Sequence, residues 1–145
     1  MYNLIEKNDL IAMFPILNCQ ESAILNMVSQ DGIGLNPVFL AMKSLYPNMA
    51  DSLRKNIMGN TFEAGNLLLH RVQESFVVLT MPIQESWKTE YSYDYVFKGF
   101  QKISLIYKER NITSLAIQEG IIPNDVIDKL IDTLDLPKIV YYQSY

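Results

Sequence analysis

Ser75-Phe76-Val77-Val78-Leu79-Thr80 runs on through Met81-Pro82-Ile83-Gln84-Glu85-Ser86-Trp87, and the segment from Ser92 to Arg110 follows. The first run is rich in β-branched and apolar residues and reads as a strand. In the second, Tyr93, Val96, Phe97, Phe100, Ile103 and Tyr107 recur at helical spacing and predict an apolar stripe down the longest helix of the chain. Working upstream, Asn66–Val72 is a second β-rich run, and Gln73-Glu74 is the simplest hairpin turn between the two. Further back, Ala23–Val28 reads as a buried strand closed by the turn-prone Ser29-Gln30-Asp31-Gly32. Pro37 then opens a helix with Val38, Ala41, Met42 and Leu45 on one face, ended by Pro47. A short helix capped by Asn48 carries Met49, Leu53 and Ile57, and Leu4-Ile5 opens a first strand. Downstream come a strand over Ile112–Ile117, a helix from Pro123 with Val126, Ile127, Leu130, Ile131 and Leu134 on its apolar face, and a last strand over Ile139–Tyr142. Strand-like and helix-like runs alternate, which predicts an α/β fold: a mixed β-sheet flanked by helices, one domain over residues 1–145.

The bulk numbers exclude several functions. At 145 residues the chain can bury a core without disulfides, and 49% hydrophobic against 19% charged residues is a globular balance. A net charge of −4 makes nucleic acid an unfavoured partner, since Lys43, Arg54, Lys55 and Lys88 stand singly among acids. One cysteine, Cys19, rules out an internal disulfide and a Cys-rich zinc site; one histidine, His70, rules out a His-based metal cluster. No metal or cofactor is expected. The first residues lack the organisation of a signal peptide and no apolar run spans a bilayer, so a cytoplasmic protein without membrane contact is expected. Abundant Asn, Ile, Lys and Tyr fit an A/T-rich genome such as some phages have.

Met81-Pro82-Ile83-Gln84-Glu85-Ser86-Trp87, continued by Tyr93-Asp94-Tyr95-Val96 and Gly99-Phe100, resembles without a gap the segment F-P-T-K-x-x-W … L-E-Y-I-x-x-G-L of macro domains. The subgroup is that of bacterial antitoxins that remove ADP-ribose from DNA thymidine. Pro82, Trp87, Tyr95 and Gly99 match directly. Ala23–Ser29 with Val38–Met42 is similar to the family's A-L-V-N-x-V-N strand and I-A-L-x-F helix start, and Ser114-Leu115-Ala116-Ile117 to its S-I-A-I strand. Lys7-Asn8-Asp9-Leu10 resembles the family's G-D-L. The resemblance implies a macro-domain fold that takes ADP-ribose or a related adenine nucleotide. It assigns Asp9 to the adenine amino group, and it brings Asn26, Ser29, Gly32, Gly34, Trp87, Tyr95 and Gly120 to the ligand.

The chain departs from the pattern where the chemistry would be. Ser29 stands for the family's second asparagine, and Leu35-Asn36-Pro37 stands for the turn that carries the subgroup's catalytic lysine, so Asn36 replaces it. The diphosphate loop, which needs glycines to wrap phosphate closely, is shortened to Gln118-Glu119-Gly120-Ile121-Ile122-Pro123 with one glycine. Each candidate also has a plain alternative. Asp9 is an adenine acceptor or a surface acid in a turn; Asn26 orients a ribose or bonds nearby backbone. Asp31 is a weak candidate base or a turn former, with no partner lysine to support it. Trp87 and Tyr91 stack on a base or pack their loop. Three readings follow: a binding module without efficient turnover; an ADP-ribosyl hydrolase; or a degenerate macro domain that contacts a host or rival protein through Ile121-Ile122. The first is favoured, so the chain is not expected to be an efficient enzyme.

Overall fold

The structure is a computed structural model, and it describes residues 11–33 and 36–143. The expected first strand at Leu4-Ile5 lies outside the described residues. A 3-10 turn, Pro15–Asn18, leads into β1 (Ala23–Ser29), then α1 (Pro37–Leu45), α2 (Pro47–Met58) and the hairpin of β2 (Leu68–Gln73) and β3 (Phe76–Gln84). α3 (Tyr93–Ile106), β4 (Ser114–Gln118), α4 (Asn124–Thr133) and β5 (Lys138–Tyr142) complete the order. The strands form one mixed sheet in the order β2-β3-β1-β4-β5. β2 runs antiparallel to β3, and β1 pairs in parallel with both β3 and β4, as β4 does with β5.

Every residue of β1 is buried, because a central parallel strand is covered on both faces. Leu25, Met27, Leu79, Met81, Leu115 and Ile117 pack with Val96, Phe100 and Ile103 of α3 and with Ile127 and Leu130 of α4. On the opposite face, Ile24, Val78 and Ala116 meet Ile16 of the 3-10 turn and Val38, Ala41 and Met42 of α1. Gly99 lets α3 lie close on β3: a Cβ built there would overlap Sδ of Met81 and fall 2.6 Å from its Cγ. The resemblance to the family's G-L pair at this point thus has a packing cause.

Several local expectations shift. The hairpin turn is Glu74-Ser75 instead of Gln73-Glu74, because an irregularity between Arg71 and Gln73 lengthens β2 by a residue. Pro47 ends α1 and also fills the first turn of α2, where its missing N–H costs nothing, so Asn48 is not the cap. Tyr93 was expected in the core with Val96 and Phe100, yet it is 54% exposed. It occupies the first turn of α3, at the end of the stripe, and stacks on Phe97 with ring centroids 6.3 Å apart.

The connections place α1 and α2 on one face of the sheet and α3 and α4 on the other. The chain leaves β1 towards β3 and β2, then returns past β1 to β4. The strand order therefore reverses between β1 and β4. Open α/β sheets bind ligands in the crevice beyond the carboxyl ends of the strands at such a switch.

Candidate functional site

Three segments converge at that end of the sheet: residues 30–33 and 36 after β1, 85–92 after β3, and 119–123 after β4. They enclose a cleft of about 190 Å³ lined by Ser29, Ile33, Asn36, Trp87 and Ile121, with Met27, Val28 and Phe39 beneath. Of the residues singled out from sequence, Ser29, Asn36 and Trp87 line this cleft directly. Asp9 and Gly34 lie outside the described residues.

Asp31 fastens two of the loops together. Its Oδ1 accepts from Ser29 Oγ and, at 3.0 Å, from the Ile33 N–H. Its Oδ2 accepts from the Trp87 backbone N–H at 3.3 Å. Burial works to raise the Asp31 pKa, but the hydrogen bonds from Ser29, Ile33, Trp87 and Ser86 outweigh it and hold the carboxyl below its ordinary value. A carboxylate so stabilised is a poor general base. Ser29 Oγ donates to Asp31, has the Ile33 carbonyl as a second acceptor at 2.7 Å, and has no hydrogen bond with a basic side chain among the described residues. Both residues shape the loop.

Asn36 is likewise engaged. It is the N-cap of α1, and its Oδ1 accepts from the Val38 N–H at 3.1 Å. Gly32 sits at φ +73°, a conformation that favours glycine, and a Cβ there would meet Cδ1 of Ile57. Tyr95 lies outside the cleft, where its hydroxyl donates to Gln30 Oε1 at 2.6 Å. Tyr91 packs against the core, while Trp87 is 40% exposed at the mouth of the cleft with Lys88 Nζ 5.4 Å from its ring. Asn26 is buried beneath, and its Nδ2 donates to Thr80 Oγ1 at 3.2 Å.

The loop after β4 is where sequence and structure diverge most. Gly120 adopts φ +92° on an open surface with Glu119, Ile122, Pro123, Asn124 and Asp125, outside the cleft. Glu119 accepts from Asn124 Nδ2 at 3.2 Å. The pair Ile121-Ile122 is not the apolar docking surface expected of it. Ile122 is 1% exposed and belongs to the core beside Ile117 and Ile127, while the half-buried Ile121 forms one wall of the cleft. A loop this short has to bury its apolar residues between β4 and α4.

Sequence reasoning passed over Gln118, the last residue of β4. It is 4% exposed, and neither Nε2 nor Oε1 has a hydrogen-bond partner among the described residues. Only tertiary burial turns a strand-end glutamine into an anomaly, so no sequence signal could have found it. Cys19 is far from this cleft, and burial pushes its thiol up to about 11, which leaves it unreactive at neutral pH.

Strand order and the crevice between β1 and β4 define a macrodomain fold. By sequence, neither a family model nor a curated protein matches the chain. By structure, it resembles the macrodomain of Mycobacterium tuberculosis DarG (TM-score 0.75, 20% identity), covering 89% of this chain and 93% of that one. It also resembles the macrodomain of Thermus aquaticus DarG (TM-score 0.73, 17% identity), covering 88% and 92% respectively. A Trypanosoma brucei macrodomain solved in complex with ADP-ribose matches less closely (TM-score 0.55, 16% identity), over 88% of this chain and 61% of that one. No helix among the described residues is long and apolar enough to cross a membrane.

Proposed function

We propose that the chain binds ADP-ribose or a related adenine nucleotide at the carboxyl ends of β1, β3 and β4, weakly and without efficient turnover. The observation that carries this reading is the cleft at the switch point of a macrodomain fold, lined by Ser29, Asn36 and Trp87. Weak binding follows from what fills the space. A cleft of about 190 Å³ is small for a nucleotide, and Ile121 stands where a phosphate-wrapping loop would offer backbone N–H groups. Absence of turnover follows from the groups present, since the Asp31 carboxyl is held below its ordinary value and the Asn36 oxygen is spent on its own helix.

On this reading Asp9, by resemblance, takes the adenine amino group, and the adenine end carries more of the affinity than the diphosphate end. Adenosine or AMP then binds nearly as well as ADP-ribose. Loss of two or three charge-assisted contacts, each about 1.5–3 kcal/mol, takes a micromolar site to the millimolar range. Calorimetry or NMR titration of wild type and Asp9→Ala tests this; tight ADP-ribose binding indifferent to the Asp9 change refutes it. Release of ADP-ribose from modified protein or thymidine that disappears in Asp31→Ala would establish a hydrolase instead.

One observation favours a second reading. Ile33 and Trp87, both large, apolar and exposed, stand together at the mouth of the cleft. A protein partner capping the cleft would bury them, and Trp87→Ala would then abolish the complex while leaving the fold intact.

A further inference from the structure

We propose that residues 85–92 form a lid over the cleft, latched shut by Asp31, and that a nucleotide enters only by opening the latch; the proposal rests on the adenine-nucleotide reading above. The closed cleft holds about 190 Å³, whereas pockets that enclose ligands of this size run from about 300 Å³ upward. A wall has to move, and the structure limits which one can.

The floor is fixed, since Met27, Val28 and Phe39 are core residues. The wall made by Ile121 is held by its neighbour Ile122, which is buried beside Ile117 and Ile127. The loop after β3 is different. Its residues 87–90 are exposed, and of this loop Trp87 reaches the cleft. Both ends are fastened. The Gln84 carbonyl accepts from the Gln30 N–H at 2.8 Å, the Ser92 N–H donates to the Ile83 carbonyl at 2.7 Å, and Tyr91 packs on the core. Between those ends the loop is bonded mainly to itself. Gln84 Nε2 donates to the carbonyls of Ser86 and Thr89 at 2.8 and 2.9 Å, and the Thr89 N–H donates to the Ser86 carbonyl at 3.0 Å. A loop braced internally and anchored at two points moves as one body about its ends.

Asp31 holds the free tip down. Its Oδ2 accepts from the Trp87 backbone N–H at 3.3 Å, while Oδ1 is engaged within its own loop by Ser29 and Ile33. Among the described residues, the hydrogen bonds to Asp31 are the ones that join the two loop tips. The bond to Trp87 is long and exposed, so it favours the closed lid without sealing it. When it breaks, Ile33 and Trp87, which face the cleft from its two lips, separate. Apparent affinity is then the affinity of the open form reduced by the fraction of molecules that are open. Asp31 does not line the cleft, so it acts as a positioning residue.

The test compares wild type with Asp31→Asn by NMR titration with AMP and with adenosine. Asparagine keeps one oxygen for the two donors within the β1 loop, Ser29 and Ile33, and turns an amide donor towards the Trp87 N–H, which opens the latch. Expected is binding about threefold to tenfold tighter in the variant, by the same factor for both ligands, the worth of one exposed hydrogen bond to a charged group. In wild type, AMP is expected to move the Trp87 backbone amide resonance towards its position in ligand-free Asp31→Asn. A gain for AMP alone overturns the latch and shows a carboxylate that merely repels phosphate. Unchanged or weaker binding of both ligands also overturns it. Where Asp31→Asn does not fold, the wild-type spectrum decides: a Trp87 amide that stays in place while other cleft resonances shift overturns the lid. Each of these results leaves the adenine-nucleotide reading standing. If neither wild type nor variant binds either ligand, the reading itself is overturned and the lid with it.

Discussion

Gly99→Ala inverts the usual rule for helices. In a helix interior, replacing glycine by alanine ordinarily stabilises by about 1 kcal/mol, because alanine loses less backbone freedom. At position 99 the added methyl would overlap Sδ of Met81 and come within 2.6 Å of its Cγ. These atoms lie midway along a fully buried side chain, so Met81 cannot swing aside without pushing its own neighbours. Overpacking of this kind costs about 1–3 kcal/mol, so the net effect is a loss of about 1 kcal/mol once the propensity gain is set against it. Removing the obstacle should restore the ordinary sign. Met81→Ala alone costs about 2–5 kcal/mol, but Gly99→Ala added to it should gain about 1 kcal/mol. Urea unfolding of the four proteins in a double-mutant cycle measures this, with slopes compared to verify that the unfolded state is unchanged. If Gly99→Ala stabilises the wild-type chain, or acts equally in both backgrounds, then α3 does not lie on β3 as closely as described.

Phe100→Ala should destabilise by about 3–5 kcal/mol, since Phe100 is fully buried between α3 and the sheet; an unchanged unfolding curve would refute the helix placement. Acidification should loosen the cleft. The Asp31 pKa is depressed in the folded chain, so its contribution is complete above the unfolded carboxylate value near 3.9 and is lost as pH falls through the folded value. Trp87 is the one tryptophan and its backbone N–H is held by Asp31, so release of that loop should change its fluorescence in that acid window, with no such transition in Asp31→Ala.

The sheet and its helices were legible because long-range packing and local periodicity agree there. Ala23–Val28 reads as buried and is buried; Val96, Phe100 and Ile103 recur at helical spacing and face β3. Tyr93 continues the same spacing and is exposed, because periodicity gives a residue's angle about the helix and not whether the sheet extends beneath it. Ile122 failed in the opposite direction: in a loop it reads as an apolar surface residue, and only the short span between β4 and α4 forces it inward. Within the site, Ser29, Asn36 and Trp87 were picked out by resemblance and do line one cleft. What they do there was not legible. The bond from Trp87 to Asp31 joins residues 56 apart in sequence, and the orphaned amide of Gln118 exists only once β4 is packed.

A phosphate group would seek the helix N-termini near the cleft, and both are compromised. At α1, Pro37 has no N–H, and Asn36 already accepts from Val38 at 3.1 Å, so the first turn has little left to offer an anion. At α4, Pro123 precedes the helix without a side-chain cap, but Asp125 places a carboxylate in the first turn where an anion would sit. The Asn36 cap and a phosphate therefore compete for one donor. Asn36→Ala should cost about 0.5–2 kcal/mol of stability through the lost cap. It should also free the Val38 N–H and strengthen AMP binding relative to adenosine by about threefold to tenfold, the worth of one added hydrogen bond to a charged group after partial solvent screening. Titration of both ligands into wild type and Asn36→Ala reads the ratio directly. A variant that loses stability while the AMP-to-adenosine ratio stays fixed would show that phosphate does not approach α1, and the orientation of nucleotide across the cleft would have to be reversed.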